Sequence, residues 1–170
     1  MSLDFSKIGI LTSGGDAPGM NAAIRSFVRS AKFNNLEIIG IKKGFQGLIE
    51  GSFEHLEMRS VSNILGKGGT FLRSARSIDF LDKENRMLAY KNLKEHNIEA
   101  LVVIGGNGSL TGASVFSEEF NIPVIGIPAS IDNDIFGTDF SIGYNTALET
   151  IVESIDKIRD TANSHNRLFF

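Results

Sequence analysis

Two short glycine-rich stretches carry the residue types of a phosphate site: GGDAPG at 14–19 and GGNGS at 105–109. Glycine lets the backbone approach a ligand closely and exposes N–H groups, and a helix that follows adds partial positive charge at its N-terminus. The spacing from Gly14 to Gly19 mimics a P-loop, but Met20 and Asn21 stand where that motif needs Lys and Ser or Thr. The stretch is not GxGxxG either, so dinucleotide binding gains no support. Each stretch alone is equally a tight strand-to-helix turn. Two on one sheet suggest neighbouring phosphate positions, such as a nucleotide tail. SIDND at 130–134 adds Asp132 and Asp134, two residues apart. One carboxylate can act as a general base and the other can hold a metal or a metal-bound water, although paired aspartates in a loop are more often a solvated turn. GGTFLRSARS at 68–77 supplies Arg73 and Arg76. An arginine there either sits on the surface or clamps phosphate bidentately. Together these residues describe phosphoryl transfer without a Walker motif: phosphates on glycine loops, an arginine clamp, and an aspartate that activates an acceptor hydroxyl.

Such loops need strands to carry them. Residues 7–11, 36–41, 100–104 and 122–127 are short apolar runs that read as strands. Met20 to Phe33, Asp82 to His96, Leu110 to Glu119 and Gly143 to Ala162 read as helices. The last has Ala147, Leu148, Ile151, Ile155 and Ile158 on one stripe, and an apolar run starts at Arg167-Leu168. Between Lys42 and Phe71 six glycines imply loops around a short helix near Val61 to Leu65, and 128–142 reads as a loop. Strands alternating with helices predict an α/β fold, a doubly wound and mainly parallel sheet with helices on both faces. Ligands then bind at the carboxyl ends of the strands, where all three loops should gather.

The chain has 170 residues and a formal charge of −3, too weakly acidic to suggest a nucleic-acid groove or a polybasic membrane surface. It has no cysteine, which excludes a disulfide scaffold, a thiol nucleophile and a Cys-ligated metal. No apolar run approaches the ~18 residues of a membrane helix, and no signal peptide is legible, so a cytoplasmic location is expected. Eighteen glycines, about 11% against a usual ~7%, go with only three prolines, which is not linker composition. Residues 1–6 read as a loose leader and 7–170 as one nucleotide-binding domain.

LTSGGDAPGMN at 11–21, GTFLRSAR at 69–76, GGNGS at 105–109, SIDND at 130–134 and IRDTANSHNR at 158–167 resemble bacterial-type, ATP-dependent 6-phosphofructokinase. Members are roughly twice this length, so the chain resembles an N-terminal half that stops before the second, sugar-binding domain. The resemblance implies transfer of the ATP γ-phosphate to the 1-hydroxyl of fructose 6-phosphate, with Mg2+. It implies Asp132 as catalytic base, Ser130 as a substrate contact where Thr is usual, and Arg76 on the transferred phosphate. Gly15, Arg76, Ser77, Gly106, Asn107, Gly108, Ser109 and Gly112 match nucleotide contacts. Asp134 helps to position Mg2+. Arg167 matches a sugar-phosphate contact that reaches into a neighbouring subunit, in a homo-oligomer that is tetrameric in full-length members. Arg25, Arg29 and Arg159 match the site of a nucleotide effector.

The chain departs from the family at Asn107, where an Mg2+-binding Asp is usual, and at Met58, where another effector arginine is usual and Arg59 lies one place off. Pyrophosphate-using relatives carry an acidic residue and a Lys where this chain has Gly108 and Ala129, so ATP is the expected donor. A catalytically impaired nucleotide-binding or regulatory module of the same fold is the alternative, supported by Asn107 and opposed by Asp132 and Arg76. A relative of NAD or lipid kinases fits less well because of the 130–134 stretch.

Overall fold

The computed structural model describes residues 5–168. In chain order the elements are β1 (Lys7–Ser13), α1 (Met20–Phe33), β2 (Glu37–Ile41), α2 (Gly44–Glu50), β3 (Phe53–Leu56), a 3-10 turn (Asp79–Leu81), α3 (Lys83–Glu95), β4 (Ala100–Gly105), α4 (Asn107–Phe120), β5 (Val124–Ser130), β6 (Ile142–Gly143) and α5 (Tyr144–His165). The sheet order is β3-β2-β1-β4-β5-β6. All neighbours run parallel except β3, which pairs antiparallel with β2 at the edge. This is the expected doubly wound α/β architecture.

Both faces of β4 are covered, which is why it is buried along its whole length, whereas β5 is partly open and exposes Ile125. Side chains alternate across it. Val102 and Ile104 join Ile24 and Val28 of α1 on one face, and Leu101 and Val103 join Leu48 of α2, Leu93 of α3 and Phe116 of α4 on the other. The chain reverses its winding direction between β1 and β4, the place where such sheets open a crevice.

The structure corrects two expectations. Val61 to Leu65 forms turns, not a helix; Val61 and Ile64 are buried within them. The helix and strand of that region lie earlier, as α2 and β3. Residues 128–130 continue β5, because Gly105 pairs with Pro128 and Ser130 with Gly143 of β6. The apolar stripe of α5 is real in spacing, yet no residue of α5 is buried among the described residues. Most of the leader, residues 1–4, and the end of the terminal apolar run, 169–170, lie outside the described residues.

Candidate active site

Register sets the site. Ser13 at the end of β1 pairs with Gly105 at the end of β4, and Gly105 pairs with Pro128 of β5. The three loops therefore leave the sheet side by side. Gly105 permits the crowding: a Cβ there would lie 2.6 Å from the Ser13 carbonyl oxygen and 2.8 Å from Ser109 Cβ. A cavity of about 630 Å³ opens above this edge, within the usual size of small-molecule sites. Gly14 and Gly15, Gly106 to Ser109, Gly112, and Ser130, Asp132 and Asp134 all line it, with Arg76 and Ser77.

α4 points its N-terminus at this cavity. Its N-cap, Gly106, makes no side-chain cap hydrogen bond. First-turn N–H groups have no intrahelical acceptor, so they suit an anion. Across the cavity, Ser130 Oγ accepts from the Asp132 N–H at 3.1 Å and donates to Asp134 Oδ1 at 3.3 Å. Asn107 Nδ2 donates to the Asp134 carbonyl oxygen at 2.9 Å and ties the second glycine loop to the carboxylate loop.

Arg76 reaches the cavity because buried polar groups hold the segment before it. Thr12 Oγ1 donates to the Arg73 carbonyl at 3.0 Å and bonds Thr70 Oγ1 at 2.9 Å. Asn21 donates to the Lys67 carbonyl and accepts from the Phe71 N–H at 2.6 Å. Asn21 stands where a P-loop would place its hydroxyl. Here it is buried, and both its amide nitrogen and its amide oxygen hold the neighbouring loop.

The opposite end of the cavity is apolar. Phe45 and Phe80 stack with centroids 4.0 Å apart and an interplanar angle of 14°. Ile78 and Leu81 flank them, 80% and 79% exposed. Sequence reading missed this wall, because Phe45 and Phe80 are 35 residues apart and meet only through α2 and the 3-10 turn.

Four candidates do not line this cavity: Arg25, Arg29, Arg159 and Arg167. Arg25 donates to the Val61 carbonyl at 3.0 Å, and Arg159 pairs with Asp156 at 3.0 Å. A bidentate charge pair also lies outside these loops. Arg86 meets Glu119 through Nε and Nη2, at 2.6 and 2.7 Å. That contact raises the guanidinium pKa and holds the Glu119 carboxyl below its usual range.

The family model described as phosphofructokinase matches residues 7–170. The chain belongs to the phosphofructokinase family. It is 58% identical over 163 residues to an ATP-dependent 6-phosphofructokinase 2 of Bacteroides thetaiotaomicron, covering 96% of this chain and 50% of that one. An ATP-dependent 6-phosphofructokinase of Aquifex aeolicus is also 58% identical, with 96% and 51% covered. A solved phosphofructokinase from Saccharomyces cerevisiae superposes with a TM-score of 0.91 at 39% identity, over 95% of this chain and 25% of that one. The chain spans about half the length of the curated phosphofructokinases it matches.

Proposed function

We propose that this chain is the nucleotide-binding half of an ATP-dependent 6-phosphofructokinase, passing the γ-phosphate of ATP to the 1-hydroxyl of fructose 6-phosphate. One observation carries the reading: two glycine loops, Arg76 and two aspartates share a cavity that ends in an aromatic wall. The apolar end takes the adenine, on Ile78 and Leu81 exposed over the buried Phe45–Phe80 stack. Gly15 and the first turn of α4, with Gly106, Gly108, Ser109 and Gly112, take the phosphates. Arg76 neutralises charge that spreads over the transferring phosphoryl group. Asp132 accepts the proton of the 1-hydroxyl as its oxygen bonds to phosphorus and the bond to ADP breaks. Such a base contributes typically 10²–10⁴-fold. Ser130, which holds the Asp132 N–H, fixes the loop and faces the sugar. A Cβ on Gly108 would meet nothing within 4 Å, and Ala129 is small, so there is room for a nucleotide.

The donor chemistry fits Mg2+: Asp134 offers a hard carboxylate on the same cavity as the phosphate loops, and such ions take one or two carboxylates with substrate phosphates. Asp134 would hold it, with the Asn107 amide oxygen as a neutral ligand, and the ion would shield phosphate charge. Arg167 would serve the sugar phosphate of a neighbouring subunit in a homo-oligomer, and Arg25, Arg29 and Arg159 a nucleotide effector. A cytoplasmic location goes with this reading; among the described residues no helix is long and apolar enough to cross a membrane.

The test is a chain extended to the length of its relatives, assayed for Mg2+-dependent formation of fructose 1,6-bisphosphate from ATP. A second reading, a nucleotide-binding module without catalysis, is favoured by the Asn107 link to the Asp134 carbonyl, which joins the loops without a cation. Binding of ATP without turnover in the extended chain selects that reading. No binding of ATP refutes both.

A further inference from the structure

We infer that Arg86 and Glu119 are positioning residues that set how tightly the chain holds a nucleotide's base. The inference rests on the nucleotide reading of the cavity. It comes from a network behind the apolar wall that touches none of the phosphate loops.

Arg86 uses its planar fork on two sides. Nε and Nη2 face the Glu119 carboxylate, and Nη1 donates to the Phe80 carbonyl at 2.9 Å and the Leu81 carbonyl at 2.7 Å. Those carbonyls belong to the 3-10 turn that presents Phe80 and Leu81 to the cavity. Phe80 in turn lies between Phe45 at 4.0 Å and Phe116 at 5.5 Å. A lysine has one point of charge and cannot serve the carboxylate and both carbonyls at once.

Most exposed ion pairs contribute little. This one differs in three respects. It is bidentate, its side chains are only 11% and 23% exposed, and its third nitrogen holds backbone. Glu119 lies in the last turn of α4, whose first turn carries the phosphate-facing N–H groups. The pair thus ties the wall to the far end of the helix that carries the phosphate site. That link fixes the separation of base and phosphate subsites. Freed from it, the turn can shift while the glycine loops stay in place, since β1, β4 and Asn107 hold them.

The consequence is a split between ligands with and without a base. The experiment is calorimetric titration of the 170-residue chain and of Glu119→Gln, Arg86→Lys and Glu119→Gln/Arg86→Lys variants. The probes are ATP and inorganic tripolyphosphate, and circular dichroism checks folding. The expected result is about tenfold weaker ATP binding in each single variant, with tripolyphosphate within twofold of the parent. The double variant should be no worse than either single one, because the two residues act as a unit. Arg86→Lys keeps the charge and packing stem, so a folded variant is retained if Glu119→Gln is lost. Equal loss of both ligands, or unchanged ATP binding in a folded variant, overturns the inference and leaves the nucleotide site intact. A parent chain that binds neither ligand overturns the nucleotide reading itself, and the inference with it.

Discussion

Replacing Asn107 with Asp should reverse the way the two loops are joined. The amide now donates to the Asp134 carbonyl at 2.9 Å. A carboxylate cannot donate, and would place negative charge against that oxygen. The bond is solvent-exposed, so its net worth lies at the low end of the usual range, about 0.5–1 kcal/mol. Without divalent cation, Asn107→Asp should therefore weaken ATP binding about 2–5-fold. With Mg2+ the sign changes, because Asp134 gains a second charged oxygen partner for a hard cation. The quantity to measure is the ratio of the ATP Kd in EDTA to that in Mg2+. We expect it to rise by about tenfold or more in the variant, since the loss without cation and the gain with it multiply. Titration calorimetry of parent and variant in both buffers gives all four constants. An unchanged ratio would refute the placement of residue 107 beside the cation. Tighter ATP binding by the variant in EDTA would refute the role of the amide as a link.

Other outcomes follow from the same geometry. In an extended, active chain Asp132→Asn should lower kcat by ~10²-fold or more while sparing ATP affinity, because a base acts in the transition state; steady-state kinetics with a binding titration checks both. Gly47→Ala should lower the thermal midpoint by about 6–12 °C, equivalent to about 3 kcal/mol in a chain of this size. An ideal Cβ there would clash with the Lys42 carbonyl oxygen, so α2 and the Phe45 it carries must move; scanning calorimetry gives the shift. Arg86 depresses the Glu119 pKa. Its stabilisation is therefore present above the unfolded carboxylate pKa and lost as pH falls through the folded one. The Tm gap between parent and Glu119→Gln should be widest near neutrality and close below about pH 4.3, followed in melts from pH 7 to 3.

The legible parts of the fold are those where burial imposes a period. β4 is an unbroken apolar strand because both its faces are covered, and α1 buries Met20, Ile24 and Val28 on one stripe. The loops that line the cavity were legible because glycine and aspartate clusters follow such strands. Between 42 and 71 the pattern fails for physical reasons. α2 contains Gly44 and Gly47, poor helix formers, and is held by burial of Phe45 and Leu48. β3 is an edge strand with a mixed pattern, only Leu56 being buried. Residues from Pro128 on read as a loop, yet Pro128 sits within β5, in register with Gly105, and Ala129 and Ser130 after it pair with β6. Arg86 falls within the helix expected over 82–96. Its role depends on Glu119, 33 residues on, and no local spacing announces such a pair.

The long helix α5 has a dynamic consequence. None of its 22 residues is buried, and Leu148, Ile151, Val152, Ile155 and Ile158 stand about half exposed along one side. A helix without a packed face rests on its own backbone bonds, and isolated helices are only marginally stable in water. Amide hydrogens of α5 should therefore exchange with solvent through cheap local opening. Those of β1 and β4, sealed between two layers of side chains, should wait for the whole domain to unfold. The expected exchange pattern is therefore a fast α5 beside a slow β1 and β4, and anything that covers the exposed side of α5 would register first as a slowing of its exchange.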